Sequence, residues 1–578
     1  MTGIFRALAV DFDGTLTLDG KRPAQHVLDA LARARVGGCR VLLVTGRVLT
    51  ELRADWPDVD NHVDDIVAEN GCVLYRDGQT RLLAPAVDSS LAPALTRRGI
   101  SVRAGEALLA CDGTHAVAVM EQIHELGLDA QLVHNREALM ILPAGVTKGS
   151  GLFEALGDIG VSRHSTIGVG DAENDHALLD VCEVGVAVGN AVPALRRHAD
   201  VVLRGEGGDG VVELIDGPIF DGRERVRSRR WEMVIGTGPT GQTVTLPTSQ
   251  SNLLICGNTG QGKSYAAGLL AERLIALGYC VLVVDPEGDH GELGRLRGTI
   301  TIDAADGLPP ASRIAAMFRQ RFTSVVLDMS CLDPSERRAY LDSLAVEVSR
   351  QRRDVGLPHW VILDEAHIGE PESLVSGYVD AGGHHRGQIL VTYRPYDLPP
   401  EVLERLDGII ALAGDGPLPD QVVEIAQRVS GLAEPVIRHL AGGLSEHDAL
   451  VAVRPEIGTS SVVTLATRTT PQVRHAHKYG ATQVRSDRRF YFRDREDKVT
   501  DVAGSMDDLR SVLARVSDSV LVHHAAGSDL SRWVSTVFQD RALGGVISEA
   551  EQSLNDGRIS ASEARTRVLA GVERRYPV

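Results

Sequence analysis

Two short apolar runs, each broken off by a glycine-bearing polar turn, fix most of what this chain can become. The first is Ala7-Leu8-Ala9-Val10, followed by Asp11-Phe12-Asp13-Gly14-Thr15. The second is Leu253-Leu254-Ile255-Cys256, followed by Gly257-Asn258-Thr259-Gly260-Gln261-Gly262-Lys263-Ser264. A strand that stops at such a turn presents its polar residues at one edge of a sheet. The first turn offers carboxylates and the second a cradle of backbone amides, so two separate phosphate-handling sites are expected on one chain.

At 578 residues the chain is too long for one core, and three or four domains are expected. No apolar run approaches the roughly 18 residues of a membrane span. The N-terminus enters a strand-like run within a few residues, which leaves no room for a signal peptide. Cys39, Cys72, Cys111, Cys182, Cys256, Cys280 and Cys331 are scattered with no C-x-x-C pair. That pattern reads as reduced, buried thiols in a cytoplasmic protein, not as a disulfide or zinc framework. The formal net charge of −18 argues against broad nucleic-acid binding, which needs a basic footprint.

The expected fold class is α/β. Candidate strands at 7–10, 40–45, 166–169 and 184–188 alternate with helix-like stretches and predict a parallel sheet from segments 1–71 and 144–216. Residues 72–143 carry shorter β-like pieces and read as an inserted α+β cap. Residues 217–231, with Arg223, Arg225, Arg227, Arg229 and Arg230, read as a basic linker. A second α/β block is expected over 232–455, with strands at 253–256, 280–285, 324–328, 360–364 and 388–392. Residues 470–578 form a small C-terminal α+β domain of unknown role, whose Ser560-x-x-Glu563 predicts a helix N-terminus.

Asp11 and Asp13 lie two apart at a strand end, so an extended backbone aims both carboxylates the same way. Gly14 permits the tight turn. Thr45, in Val44-Thr45-Gly46-Arg47, offers a hydroxyl at the next strand end. Lys148 stands at a helix start and supplies positive charge. Gly170-Asp171-Ala172-Glu173-Asn174-Asp175 closes another strand and offers carboxylates for a metal.

The order of these pieces resembles the haloacid dehalogenase superfamily of phosphatases over about residues 4–216. The gap between Thr45 and Lys148, with Ala68-Glu69-Asn70-Gly71 and the run 186–191, is similar to members with a large cap. These include sugar-phosphate and phosphoglycolate phosphatases. The resemblance implies Asp11 as nucleophile and Asp13 as general acid/base. It implies Thr45 and Lys148 as holders of the phosphoryl group. Mg²⁺ would be held by Asp171 and Asp175 together with Asp11 and the Asp13 carbonyl. Asn174 would touch the phosphate or the metal shell, and Arg136 and Glu137 are candidate cap contacts for a small phosphorylated metabolite.

Residues 257–264 fit G-x-x-x-x-G-K-S completely. In such a loop Lys263 reaches the β/γ oxygens of ATP and Ser264 ligates Mg²⁺. Trp360-Val361-Ile362-Leu363-Asp364-Glu365 supplies the partner acids. Asp364 would bind Mg²⁺ through water, and Glu365 would polarise the attacking water. The block resembles HerA/FtsK-like ATPases, on the evidence of Val284-Asp285-Pro286-Glu287-Gly288-Asp289 and Leu390-Val391-Thr392-Tyr393-Arg394-Pro395. Tyr393 departs from the polar sensor usual there, and Thr392 is the candidate for that role. The resemblance implies a hexameric homo-oligomer with an arginine finger in trans, from Arg386, Arg394, Arg405 or Arg428. In the C-terminal block, His475 and His477 share a strand face and suit a metal, while Phe490-Tyr491-Phe492 suits an anionic partner.

Two readings follow. One is a Mg²⁺-dependent phosphatase of a small metabolite fused to a regulatory or assembling ATPase. The other is a HerA-like translocase on DNA or polypeptide with an accessory phosphatase.

Overall fold

The computed structural model describes residues 5–135, 138–249, 251–258, 261–320, 322–367, 387–412, 417–445, 447–471, 484, 488–538 and 540–576. The first sheet runs in the order Val201–Val202, Val184–Ala187, Thr166–Gly170, Ala7–Val10, Arg40–Val44, Asp65–Ala68, Val73–Arg76, Gln79–Leu82. The first six strands are parallel, and Ala7–Val10 and Thr166–Gly170 are buried throughout, as a sheet covered on both faces requires. The sheet grows away from Ala7–Val10 on both sides. Asp11 therefore stands at a topological switch point, where ligands of open α/β sheets bind.

The expected cap boundary at residue 72 moves. Strands Val73–Arg76 and Gln79–Leu82 extend the core sheet as an antiparallel hairpin on Asp65–Ala68. The reversal is made by three consecutive left-handed residues, Glu69, Asn70 and Gly71, which turn the chain back before it can leave the sheet. A Cβ on Gly71 would stand 2.0 Å from the Thr147 carbonyl oxygen, so this turn packs directly on the start of helix Lys148–Ile159. The inserted module proper is an antiparallel sheet, Arg103–Ala104, Leu109–Asp112, Ala138–Pro143, Ala130–Asn135, with helices Leu91–Arg97 and Ala116–Leu126. Its own small core centres on Leu91, Leu95, Leu109, Val119 and Ile141.

The second sheet has eleven strands. Seven are parallel, in the order Gly408–Leu412, Asn252–Cys256, Gln388–Thr392, Trp360–Leu363, Val281–Asp285, Ser324–Asp328, Thr299–Asp303. Asp448–Val453, Ser461–Leu465, Glu232–Thr237 and Thr243–Pro247 continue it antiparallel. Strand Gln388–Thr392 lies between the strand that enters the glycine loop and the strand that ends at Asp364, which brings Thr392 between the two motifs.

The C-terminal block is a hairpin, Phe490–Arg493 with Val499–Ala503, carrying helices that include Met506–Leu513, Arg541–Asn555 and Ala561–Arg575. Phe490 and Phe492 enter its core with Trp533 and Phe538, so these two rings serve packing and not an anionic partner. The expected cap of the last helix forms, with Ser560 Oγ accepting from the Glu563 amide and the Glu563 carboxylate accepting from the Ser560 amide. His475 and His477 lie outside the described residues. Six cysteines are buried, whereas Cys331 is exposed in the loop after strand Ser324–Asp328. No described helix is long and apolar enough to cross a membrane.

The two sheets meet at the ends where their parallel strands begin. Arg6, just before the first strand, donates to the Arg353 carbonyl at 2.8 Å. Arg163 donates to the Leu277 carbonyl at 2.7 Å, and Trp231 Nε1 to the Cys182 carbonyl at 2.9 Å. The expected basic linker is a strap, since Arg225 pairs with Asp407 at 2.8 Å and Arg230 pairs with Asp200. At the centre, His164 stacks on Tyr279 with ring centroids 3.6 Å apart, and the Tyr279 hydroxyl donates to Glu183 at 2.9 Å. Burial pushes the Glu183 carboxyl up to about 8 and holds His164 well below the ordinary histidine range. A neutral His164 then donates from Nε2 to the Leu277 carbonyl and accepts at Nδ1 from protonated Glu183, at 3.1 and 2.7 Å.

Glu183 favours its proton in the folded state. Its contribution to stability is therefore complete below the ordinary value of 4.5 and is lost as pH rises through about 8. Thermal melts of the wild type should show Tm falling across that window, and Glu183→Gln should flatten this fall.

Candidate active sites

Strand ends and one helix start bring the first site together. Lys148, at the start of helix Lys148–Ile159, is fully buried, and its Nζ donates to Asp11 Oδ1 and to Asp175 Oδ1, both at 2.6 Å. The other Asp175 oxygen accepts from the amides of Asp171 and Ala172, each at 2.9 Å. Asp171 accepts from the Thr15 hydroxyl at 3.0 Å. Burial pushes the Asp11 carboxyl well up, the charge of Asp175 adds to this, and Lys148 works against both. Burial opposes the Lys148 charge, yet Asp11 and Asp175 outweigh it and raise its pKa.

Asp11, Asp171 and Asp175 each offer an oxygen within 4.8 Å of the others. Beside them the buried Oδ1 of Asn174 has no partner among the described residues, while its amide nitrogen donates to Asn70 at 3.1 Å. Three converging carboxylates and one spare amide oxygen are the hard oxygen donors that a divalent cation such as Mg²⁺ takes.

Asp13 faces a different partner from the one the sequence suggests. Arg47 grips it with two parallel bonds, Nε to Oδ2 at 2.8 Å and Nη2 to Oδ1 at 2.7 Å, and also reaches Asp55. The Asp13 carboxylate is therefore outside the group of three, and only its carbonyl is left for the metal role expected of it. Thr45 is fully buried, and its hydroxyl accepts from the Arg47 amide at 3.1 Å. The run Thr45-Gly46-Arg47 thus holds both the strand-end hydroxyl and the partner of Asp13.

Glu69 is the other residue that the motifs pass over. Its buried carboxylate accepts from the amides of Glu106, Ala107 and Leu108 at 2.8, 2.8 and 3.1 Å. One side chain thus ties the inserted module to the core edge beside Thr45. A Cβ on Gly105 would stand 2.5 Å from that carboxyl carbon, so the approach depends on glycine. Arg136 and Glu137 lie outside the described residues.

In the second site, Lys263 Nζ donates to the Asn258 carbonyl at 3.3 Å, within its own loop, and Gly262 takes the left-handed conformation at φ 92°. Thr259 and Gly260 lie outside the described residues. Gln261 folds back to accept from the Asn258 amide at 2.5 Å. Asp364 accepts hydrogen bonds from Ser264 and from His290 Nε2, the latter at 2.9 Å. Burial would raise the Asp364 carboxyl, but His290 and these donors hold it below the usual range. Ser264 and Asp364 thus share one spot, as a Mg²⁺ of a bound nucleotide requires. Glu365 sits in the left-handed region at φ 47° and faces His367 at 3.3 Å. His367 also touches Thr392 Oγ1 at 3.1 Å, which joins the candidate sensor to the candidate base. Tyr393 lies 5.7 Å under Lys263, so the departing residue occupies the space beside the loop lysine.

His290 directly follows the run 284–289 and carries no motif of its own. Asp285 pins this loop by accepting from the amides of Glu287, Gly288, Asp289 and His290. Burial pushes the Asp285 carboxyl up to about 7. Among the finger candidates, Arg386 lies outside the described residues. Arg394 and Arg428 pair with Asp397 and Glu424 on the same chain.

Glu69→Ala leaves three amides without their acceptor. The expected result is a loss on the order of 3 kcal/mol, with faster amide hydrogen exchange at residues 106–108 and little change in the second sheet.

Residues 8–93 and 116–215 match the family model of haloacid dehalogenase-like hydrolases, and residues 243–352 match that of the central domain of helicase HerA. A phosphoglycolate phosphatase of Methanothermobacter thermautotrophicus is 31% identical over 218 residues, covering 36% of this chain and 97% of that protein. Another, of Pyrobaculum neutrophilum, is 32% identical over 222 residues, covering 36% of this chain and 94% of its own. The solved structure of a haloacid dehalogenase-like hydrolase from Bacteroides thetaiotaomicron aligns at 19% identity and a TM-score of 0.32, over 37% of this chain and 98% of that one.

Proposed function

The chain belongs to the haloacid dehalogenase-like hydrolases through its first 216 residues and carries a HerA-like P-loop domain behind them; on that premise we propose that it is a phosphohydrolase of a small phosphorylated metabolite whose activity is coupled to ATP hydrolysis in the second domain. The observation that carries this reading is the buried Lys148 ammonium between Asp11 and Asp175, with Asp171 alongside.

Asp11 is the nucleophile and takes the phosphoryl group as an aspartyl-phosphate. Lys148 works against the burial and the Asp175 charge that favour the protonated form of Asp11, and offers its remaining proton to a phosphoryl oxygen. The Thr45 hydroxyl supplies a second donor from the neighbouring strand. Asp13, once Arg47 gives up at least one of the two bonds it makes to the carboxylate and the freed oxygen takes up a proton, passes that proton to the leaving oxygen and later takes one from the attacking water. Asp175 holds Lys148 in place, since its second oxygen is tied to two amides. Asp171 and Asp11, with the Asp13 carbonyl, are the residues that would hold Mg²⁺, and Asp175 or Asn174 would complete the set. When bound, the ion neutralises charge on the phosphoryl oxygens. The inserted module selects the metabolite, a sugar phosphate or a phosphoglycolate-like acid.

In the second domain, Lys263 exchanges the Asn258 carbonyl for the β/γ oxygens of ATP. Ser264 and Asp364 would hold the accompanying Mg²⁺, Glu365 orients the attacking water, and Thr392 reads the γ-phosphate through His367.

Phosphate release from sugar phosphates, phosphoglycolate and nucleotides tests both halves. Asp11→Asn should lower phosphatase turnover by about a thousandfold or more and leave ATP turnover intact. Lys263→Ala should abolish ATP turnover and remove any change that ATP makes in the phosphatase rate, and EDTA should stop both activities. Phosphatase activity retained in Asp11→Asn would remove Asp11 from its role.

The match of residues 243–352 to the central domain of helicase HerA favours a second reading, a hexameric translocase on DNA or polypeptide with an accessory phosphatase. Under it, sedimentation should give a hexamer and duplex DNA or an unfolded polypeptide should raise ATP turnover several-fold. A monomer indifferent to both polymers rejects it.

A further inference from the structure

A cavity of about 590 Å³ lies between the C-terminal helices and the second sheet. One side is the loop after strand Val281–Asp285, from Gly288 to Arg295. The other is the helix pair Arg541–Asn555 and Ala561–Arg575. No residue of the glycine loop 257–264 lines it, so it is not the nucleotide cradle. Its size falls within the range of small-molecule sites, about 300–1,000 Å³.

The lining has two characters. Leu543, Val546 and Ala570 give an apolar wall. Arg567 and Arg574 project from the last helix and make no hydrogen bond or ion pair with any described residue. Arg575 bonds through Nε to Asp540 at 2.9 Å and through Nη1 to Glu292 at 3.2 Å, but its Nη2 is buried with no acceptor. Glu292 is shared by Arg295 at 2.8 Å and Arg575, and Asp540 also meets Arg575. Glu549 and Asp289 match Arg567 and Arg574 in formal charge, but no described hydrogen bond or ion pair joins either acid to either guanidinium group, and one N–H of Arg575 stays without an acceptor among the described residues. A buried guanidinium N–H without an acceptor costs free energy until an anion supplies one.

We infer that this cavity binds a small organic anion, its acid group on Arg567, Arg574 and Arg575 and its apolar body against Leu543, Val546 and Ala570, and that occupancy is felt at the P-loop site. The path is short. The loop bordering the cavity contains His290, whose Nε2 bonds Asp364 at 2.9 Å. Asp285 fixes the four amides from Glu287 to His290 as one unit, so the loop cannot shift at Asp289 without moving His290. The binding half stands on the cavity alone. The coupling half rests on the proposed ATP hydrolysis.

The probe is 8-anilinonaphthalene-1-sulfonate, an anion with an aromatic body, titrated by fluorescence into the full chain. The variants are Arg567→Glu/Arg574→Glu, which reverses the exposed charges, and Ala570→Trp, which fills the cavity from an exposed helix position. The wild type should give one saturable site. Each variant should bind at least tenfold more weakly while keeping its melting temperature and phosphatase activity. Saturating probe should change wild-type ATP turnover at least twofold and leave turnover in both variants unchanged. Equal affinity in the wild type and both variants overturns the site. Binding lost in the variants, with wild-type turnover unmoved by the probe, overturns the coupling. A wild type that turns over no ATP fails the hydrolysis reading and the coupling with it, while the titration still decides the cavity.

Discussion

A carboxylate taken out of water must be met by a cation or by several donors, and the interior of this chain is organised around that requirement. Asp11 and Asp175 are met by Lys148. Asp364 is met by His290, and Asp285 by four amides of one loop. Glu69 is met by three amides of the inserted module. Glu272, on the helix after the glycine loop, is met by Arg468 at 3.1 Å and by Thr469 and Thr470. All of these pairings but that of Asp285, which is local to its loop, join segments distant in sequence, so satisfying the acids also fixes how sheets, loops and inserted module sit against one another. Removing one partner would leave a charge stranded at a junction and not merely weaken one contact.

Much of this was legible in the residues. Apolar runs ending in acidic or glycine turns placed Asp11, Thr45, Asp171, Lys263 and Asp364 at strand ends. A parallel sheet brings such ends together whatever the lengths of the intervening helices. The parts that were not legible are pairings between side chains. Nothing in Thr45-Gly46-Arg47 says that the arginine, and not solvent, receives Asp13. Nothing in Glu69-Asn70-Gly71 announces three left-handed residues in a row. That turn is why the hairpin 73–82 belongs to the core sheet although its composition resembles the cap. His290 was hidden for the same reason, since its importance lies in Asp364, distant along the chain. The aromatic run 490–492 misled in the opposite direction, because two of its rings are consumed by packing.

The second site is caught in a self-bonded arrangement. Lys263 is occupied by a carbonyl of its own loop, Gln261 closes over the Asn258 amide, and Glu365 is held at a positive φ. A non-glycine residue in that region carries a conformational cost that its surroundings must offset. Here Glu365 is held between the Asp364 oxygen that receives its amide and the contact with His367. The candidate base Glu365, the candidate sensor Thr392 and Tyr393 therefore form one cluster around His367, which a nucleotide seated in the loop would meet as a unit.

The strands of both parallel sheets begin at the shared seam of Arg6, His164, Glu183, Trp231 and Tyr279. Reactions in such sheets occur where strands finish. The mouths of the two candidate sites therefore face away from each other, as the two ends of a bar do. Under the proposed function, a product released at one would not pass directly to the other. Strands such as Thr166–Gly170 and Val281–Asp285 have their starting ends at the seam, and their finishing ends carry Asp171 and the His290 loop, so the proposed coupling would have to run lengthwise through them. An assembly built on the second domain alone would then display the first domain's mouth on its far side, open to the surroundings.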